Sequence, residues 1–241
     1  MSDQVILYDL ANRNGTSWSP NTWKRERTWV RHVPYKTVWL EYPDIEPKFK
    51  ALGIKPNKPG SFANYSCPTI RFSDGSYAMG SEVLVDKLEQ AYPEPSLHLD
   101  SGLHKQAEDI CDRIMANAAP NFMVLVVDNW LQEPSKSWFA EDRIRRLGMT
   151  VQECRQKAGG EIARPKIEEG SVELRDLLTK HKKDEGPFIL GSAVSYGDFV
   201  AGGLFEGLKR MDPEHYKAFI DYDHSFKKLH EAIKPWVQKD N

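Results

Sequence analysis

The chain has 241 residues, enough for one large domain or two smaller ones sharing an interface. Its 33 Lys and Arg nearly balance 35 Asp and Glu, leaving a formal net charge of -2, so the basic excess of a nucleic-acid binder is missing and no such partner is expected. Phe122 to Val127, the longest strongly apolar run, is far too short to cross a bilayer, and no secretion signal precedes Val5-Ile6-Leu7, so no membrane association is expected. Cys67, Cys111 and Cys154 are odd in number and lack metal-ligand spacing, which points to a reducing cytoplasm, no disulfide framework and no metal.

Val5 to Leu10 reads as a short buried strand. The loop from Asn12 to Pro20 is rich in Asn, Gly, Ser and Pro, and Ser19-Pro20 has the form of a helix start, with Ser at the N-cap and Pro at the first helical position. A moderately amphipathic helix over 21–31 follows, with Trp23, Thr28, Trp29 and Val30 as its inner face. Tyr35 to Leu40 alternates as a second strand. Pro43, Pro47, Pro56 and Pro59 predict a long irregular segment between Tyr42 and Tyr65. Thr69 to Phe72 and Tyr77 to Met79 flank Ser73-Asp74-Gly75-Ser76, a hairpin with an Asp-Gly turn. A helix from Ser81 to Ala91 carries Val83, Leu84 and Leu88 on one face. Beyond the turn-rich Tyr92 to Ser96, helices are expected over 103–131, 138–147, 150–180, 196–210 and 222–234, with kinks or breaks at Pro120, Gly159-Gly160 and Pro165. The plan is a mixed α/β unit over 1–92 followed by an all-helical unit over 93–241.

Three motifs stand out. Ser66-Cys67-Pro68-Thr69 places an X-Pro bond immediately before the hairpin. Gly80-Ser81-Glu82 opens a helix, whose N-terminal N–H groups and dipole favour a carboxylate. Ser195 and Asp198, three residues apart, have the spacing of a capping box, a folding device. Taken with Trp18-Ser19-Pro20-Asn21-Thr22-Trp23-Lys24 and the stretch from Pro34 to Ile45, this set resembles the cytosolic glutathione transferases, which join a thioredoxin-like α/β domain to an all-α domain. Within that family it is most similar to the serine-type fungal FuA class and its relatives, the bacterial β-aryl etherases.

The resemblance implies a homodimeric, cytoplasmic enzyme that uses glutathione as cosubstrate and hydrophobic aromatic small molecules as acceptors. It implies that Ser19 holds the glutathione thiolate, with Ser17 and Thr16 as rivals. It further implies a cis Cys67–Pro68 bond, with the Cys67 backbone pairing with the cysteinyl unit, and Ser81 with Glu82 at the γ-glutamyl carboxylate. Lys48 is the first choice for the glycyl carboxylate. Trp18, Asn121, Phe122 and Leu125 are acceptor-pocket candidates between the halves. On residue chemistry alone, Ser19 also reads as a plain helix cap, Cys67 as a small buried residue, and Phe122 and Leu125 as ordinary core. Lys48 also reads as a solvated lysine, and Arg143 to Arg146 as an exposed helix face. Gly80 departs from the family's acidic residue at that position. Three further readings share the same sequence: glutathione-dependent cleavage of a β-aryl ether, a ligandin that sequesters plant phenolics, and a relative that has lost catalysis.

Overall fold

A computed structural model describes residues 4–19, 22, 34–94 and 96–237. The helix expected over 21–31 lies outside the described residues, apart from the helical Thr22. Strands β1 (Val5–Leu10), β2 (Tyr35–Leu40), β3 (Thr69–Arg71) and β4 (Tyr77–Met79) form one sheet in the order β2-β1-β3-β4. β1 and β2 run parallel, while β3 lies antiparallel to both β1 and β4. The tight β3–β4 connection is the expected Asp-Gly hairpin, and Gly75 supplies its positive φ of 85°.

The segment after β2 corrects the expectation of irregular structure, because Tyr42–Ala51 is a helix, α1. Pro43 sits in its first turn, where the missing N–H costs nothing, and Pro47 lies on the exposed side. Ile45 and Phe49, four apart, form its buried face, and Phe49 meets Tyr8 of the sheet edge-on at 5.6 Å. The helix ends in a Schellman motif: Gly53 N–H donates to Lys50 O at 3.0 Å and Ile54 N–H to Phe49 O at 3.0 Å. The prolines suggested irregular structure, but the placement of Pro43 and Pro47 is compatible with a short helix.

Helix α2 (Ser81–Ala91) leads out of the sheet, and the remaining helices are α3 (Leu103–Leu125), α4 (Ser135–Leu147), α5 (Val151–Ala158), α6 (Arg164–Lys180), α7 (Tyr196–Met211), α8 (Pro213–Ile220) and α9 (His224–Val237). Helix α3 continues through Pro120 and then widens into a π-helical turn, Val126–Trp130. The stretch expected as one helix over 150–180 is split at Gly159-Gly160, as its glycines suggested. Helix α8 was not foreseen; Asp212 caps it by accepting from His215 N–H at 3.2 Å, and Pro213 opens it. The last helix therefore starts at His224 instead of 222.

Helix α3 is the centre of the helical half, packed on α6 and α7. Leu103–Trp130 is long and apolar enough to cross a membrane, which the single-run reading understated, but more than half of its most apolar window is buried inside the protein. Helix α7 is buried along nearly its whole length, including Gly202, where a Cβ would stand 2.0 Å from Ile233 Cδ1. The Ser195–Asp198 capping box is formed at its start. The Asp198 carboxylate accepts from Ser195 N–H at 2.8 Å, Ser195 Oγ–H at 2.7 Å and Ile189 N–H at 2.7 Å. Burial still pushes its pKa up, to about 6, against the pull of those donors.

Candidate active site at one end of the sheet

Strand register gathers the predicted site. Tyr8 stands opposite Thr69, and Thr69 opposite Met79, so these three form one row across β1, β3 and β4. Because β3 is antiparallel to its neighbours, the chain after Tyr8, before Thr69 and after Met79 leaves the sheet at a single end. The Ser17–Ser19 loop, Cys67–Pro68 and the start of α2 are thereby brought to that end. Leu10 pairs with Leu40, so the start of α1 joins them.

Side-chain bonds shape the loop after β1. Asn12 Oδ1 accepts from Asn14 N–H at 2.8 Å and Thr16 N–H at 2.9 Å, and Nδ2 donates to Thr16 Oγ1 at 2.9 Å. Buried Asp9 accepts from Leu10 N–H and from Thr22 Oγ1–H, both at 2.7 Å. Arg13 fastens the loop to the helical half, its N–H donating to Trp130 O at 3.0 Å and its guanidinium to Asp128 O at 2.8 Å. Ser19 is buried, and its carbonyl accepts from Thr22 N–H at 3.1 Å, the bond of a helix start. Ser17 is wholly enclosed, and neither its Oγ nor Trp18 Nε1 has a hydrogen-bond partner among the described residues.

The Cys67–Pro68 peptide is cis. Cys67 is buried, as are Cys111 and Cys154. Ser66 N–H points to Met79 Sδ at 3.4 Å, and Thr69 Oγ1–H donates to Ser66 O at 2.9 Å, so the turn entering β3 is held from both sides. The start of α2 explains Gly80. It is the N-cap with φ of 85°, a conformation in which an acidic side chain would be strained. A Cβ there would also lie 3.5 Å from Asn57 Oδ1. The side chains of Ser81 and Glu82 lie outside the described residues. Beside Gly80 opens a cavity of about 760 Å³, lined among others by Lys55, Asn57 and Lys58 from the α1–β3 connection and by Glu108 and Asp112 of α3. Lys48 is not among its walls; it sits exposed on α1 and not on a loop, a correction that follows from the missed helix.

An aromatic cluster joins this end to the helical half. The Tyr42 ring stacks on Trp138 at 5.0 Å and 8°, tilts against Phe139 at 5.6 Å and meets Trp18 at 6.4 Å. Ser135 Oγ accepts from Tyr42 N–H at 2.8 Å and donates to the Glu41 carboxylate. Burial pushes the Tyr42 phenol well above the usual tyrosine range; Arg143 opposes this, while Cys67, Asp142 and Asp9 reinforce it, so these groups share one electrostatic environment. Nothing in the sequence singled out Tyr42, although its place two residues beyond β2 was the available signal.

The Arg143–Arg146 run forms the expected exposed helix face at Ile144, Arg145 and Arg146, while Arg143 is half-buried. Asp142 is buried and bonded to Arg143, Arg145 and Arg146, and the Arg143 guanidinium lies 4.0 Å from the Phe139 ring centre. Burial works against the Asp142 charge, but the arginines outweigh it and hold the pKa below the usual range. Asn121 and Phe122 are not brought to Trp18. They line a different cavity, walled by α3, α6, α7 and α8 and the Gly160 turn, while Leu125 is half-buried at the end of α3. Among the described residues no cluster of three or more His, Cys, Asp or Glu could hold a metal ion.

Residues 102–236 match the family profile described as glutathione S-transferase, C-terminal domain. The glutathione S-transferase-like protein ustS of Aspergillus flavus is 25% identical over 238 residues, covering 92% of this chain and 86% of that relative. Glutathione transferase FuA2 of Phanerochaete chrysosporium superposes with a TM-score of 0.83 over 100% of both chains at 23% identity. A glutathione S-transferase of Ceriporiopsis subvermispora, solved in complex with glutathione, superposes with a TM-score of 0.84 over 98% of both chains at 25% identity.

Proposed function

The chain belongs to the glutathione S-transferase family and is a glutathione transferase, and from that premise we propose that Ser19 holds the glutathione thiolate for attack on aromatic or electrophilic small molecules. The observation that carries this is the row Tyr8–Thr69–Met79, which delivers the serine loop, Cys67–Pro68 and the α2 N-terminus to one end of the sheet.

A glutathione thiol resembles free cysteine, with a pKa of about 8.5, and is mostly protonated at neutral pH. Only the thiolate is a good nucleophile. A serine hydroxyl donating to sulfur, beside the N–H groups of a helix start, favours the anion. Lowering the thiol pKa by one unit needs about 1.4 kcal/mol of preference for the thiolate, within reach of one charge-assisted hydrogen bond. Serine acts as a donor and need not remove a proton.

In this reading the Cys67 backbone pairs with the cysteinyl unit as an added strand would. Ser81 and Glu82 at the α2 N-terminus take the γ-glutamyl carboxylate. Lys48 stays assigned to the glycyl carboxylate, and the cavity-lining Lys55 and Lys58 are the variants to compare with it. Trp18 and the Tyr42–Trp138 stack supply an aromatic wall for the acceptor. We extend the proposal to a homodimer of the reducing cytoplasm, with sedimentation as the check on its oligomeric state.

Retention on immobilised glutathione, together with thiolate absorbance of the bound tripeptide at neutral pH, tests the central claim. Absence of binding at millimolar glutathione would overturn it. Conjugation of a generic electrophile, assayed beside scission of a β-aryl ether, separates addition from displacement.

A further inference from the structure

A helix leaves its last carbonyls without donors of its own, and those of the π-helical turn that ends α3 are met from the other half of the molecule. Arg13 N–H donates to Trp130 O at 3.0 Å, and its Nη2 donates to Asp128 O at 2.8 Å and to Leu131 O at 3.2 Å. The guanidinium therefore lies at the negative end of that helix, where a cation is favoured, and reaches two carbonyls through one nitrogen. A little further along the chain, Ser135 Oγ accepts from Tyr42 N–H at 2.8 Å. The stretch from Asp128 to Ser135 thus holds both the loop after β1 and the start of α1.

Arg13 belongs to a turn that is closed from within. Buried Asn12 accepts at Oδ1 from Asn14 N–H and Thr16 N–H, donates from Nδ2 to Thr16 Oγ1, and accepts at its carbonyl from Gly15 N–H at 3.0 Å. Gly15, with φ of 67°, gives the chain the conformation this needs. With these bonds made, Asn12 to Thr16 turns as one body, and the buried Ser17 follows it directly. Arg13 stands out from that body at the surface, bonded to the end of α3. The angle at which the body sits is the angle at which the chain enters Ser17 to Ser19.

We infer that Arg13 is a positioning residue for the transfer reaction: by tying the Asn12–Thr16 turn to the end of α3, it aims the serine hydroxyl at the glutathione sulfur. The inference deepens the serine reading and rests on it. Arg13 acts through the serine and touches no reacting atom. Hydrogen bonds weaken steeply off line, so a loop released from its tie gives a poorer bond to sulfur. The thiol then titrates closer to free glutathione, while the Cys67 backbone and the α2 N-terminus, on other segments, go on holding the tripeptide.

Arg13→Met keeps the stem and removes every side-chain donor, and because the residue is exposed the core is left alone. The thiolate absorbance of bound glutathione should then titrate about half to one pH unit higher, as for one weakened charge-assisted bond. Conjugation at neutral pH should fall about 3–10-fold and recover toward the parent rate at high pH, with glutathione affinity within about 2-fold of the parent's. Arg13→Lys, which keeps a cation and a donor, should restore most of the loss. Arg13→Met combined with Ser19→Ala should titrate like Ser19→Ala alone, since both act on one bond. Additive shifts would mean that the Arg13 charge acts on sulfur directly, and would overturn the positioning role. So would a titration that Ser19→Ala moves and Arg13→Met does not, which leaves the serine reading intact. A titration moved by neither Ser19→Ala nor Ser17→Ala would overturn the serine reading itself, and this inference with it. Amide exchange on the parent protein needs no variant: glutathione should slow exchange in 12–19 and in 128–131 together, and protection that stops at the loop would overturn the tie.

Discussion

The two halves of the molecule treat buried polar groups differently. In the helical half the buried carboxylates are met by donors: Asp198 by three, Asp142 by arginines, and Glu206 by Arg210 at 2.7 Å and His230 at 3.2 Å. At the sheet end, Asp9 is likewise met by Leu10 N–H and Thr22 Oγ1–H, but Ser17 Oγ and Trp18 Nε1 are buried with no hydrogen-bond partner among the described residues. On the helical side, His104 Nδ1 has no hydrogen-bond partner among the described residues; burial pushes the imidazole pKa down, favouring its neutral form. Closed polar networks specify one packing, whereas an incomplete one costs stability unless something else completes it. The contrast lies between carboxylates satisfied within the fold and, in the loop after β1, a hydroxyl and an indole N–H left open.

The largest effect is expected at Asp198. Asp198→Ala leaves Ser195 N–H, Ser195 Oγ and Ile189 N–H without their acceptor in a buried place, costing about 3–5 kcal/mol of unfolding free energy. Asp198→Asn keeps one carbonyl oxygen and should cost about half as much. Denaturant titration of both variants measures this, and a loss below about 1 kcal/mol in Asp198→Ala would remove the closed-network account of the helical half.

The comparison sharpens with pH, because two buried carboxylates on one helix titrate in opposite senses. Burial opposes the Glu206 charge, but bonds from His230 and Arg210 win and hold its pKa at about 2, against a reference of 4.5. Its contribution to stability is therefore full above the unfolded pKa and lost as pH falls through the folded one, declining by about 2 kcal/mol between pH ~5 and ~3. Asp198 is raised from 3.8 to about 6, so its contribution is full below the unfolded value and lost as pH rises through the folded one. Against the parent protein, the deficit of Glu206→Gln should shrink on acidification, and that of Asp198→Asn should shrink as pH rises from the unfolded value of 3.8 through about 6 and then level off. Parallel slopes in the two variants would show that arginine and histidine do not distinguish the two sites.

Much of this division was legible in the sequence. Strand alternation, the Asp-Gly turn and the Ser195–Asp198 spacing are local signals, and each element formed where they indicate. Helix α1 was hidden because Pro43 and Pro47 read as breakers, although one occupies the first turn and the other an exposed position. Helix α8 was hidden because Asp212-Pro213 reads as a turn as readily as a cap. The site was legible only as fragments, since the row Tyr8–Thr69–Met79 is set by pairing across more than sixty residues. Tyr42 and the cavity at Asn121 went unseen for the same reason: their neighbours come from distant segments.

At the sheet end the expected effects are kinetic. Ser19→Ala should lower conjugation by about 30–100-fold, or 2–2.7 kcal/mol of transition-state stabilisation, while glutathione affinity changes little. The thiolate absorbance of bound glutathione at neutral pH should fall in step. Equal loss of binding and turnover would mean that Ser19 merely supports the helix start.

The smallest effect is expected at Ser17, and it tests the contrast most directly. Its hydroxyl is enclosed and has no partner among the described residues, so Ser17→Ala removes a desolvated group whose cost is about 1–3 kcal/mol, offset by the loss of one small atom's packing. The unliganded variant should be as stable as the parent protein or more stable by up to about 1 kcal/mol, with conjugation unchanged. If Ser17 instead supplies the donor to sulfur, the variant would lose conjugation, and glutathione would raise its melting temperature less than it raises that of the parent. Melting curves with and without glutathione, beside initial rates for Ser17→Ala and Ser19→Ala, therefore decide which serine the cosubstrate completes. They also show whether the unpaired hydroxyl is part of the site or only a cost of enclosing the loop that carries it.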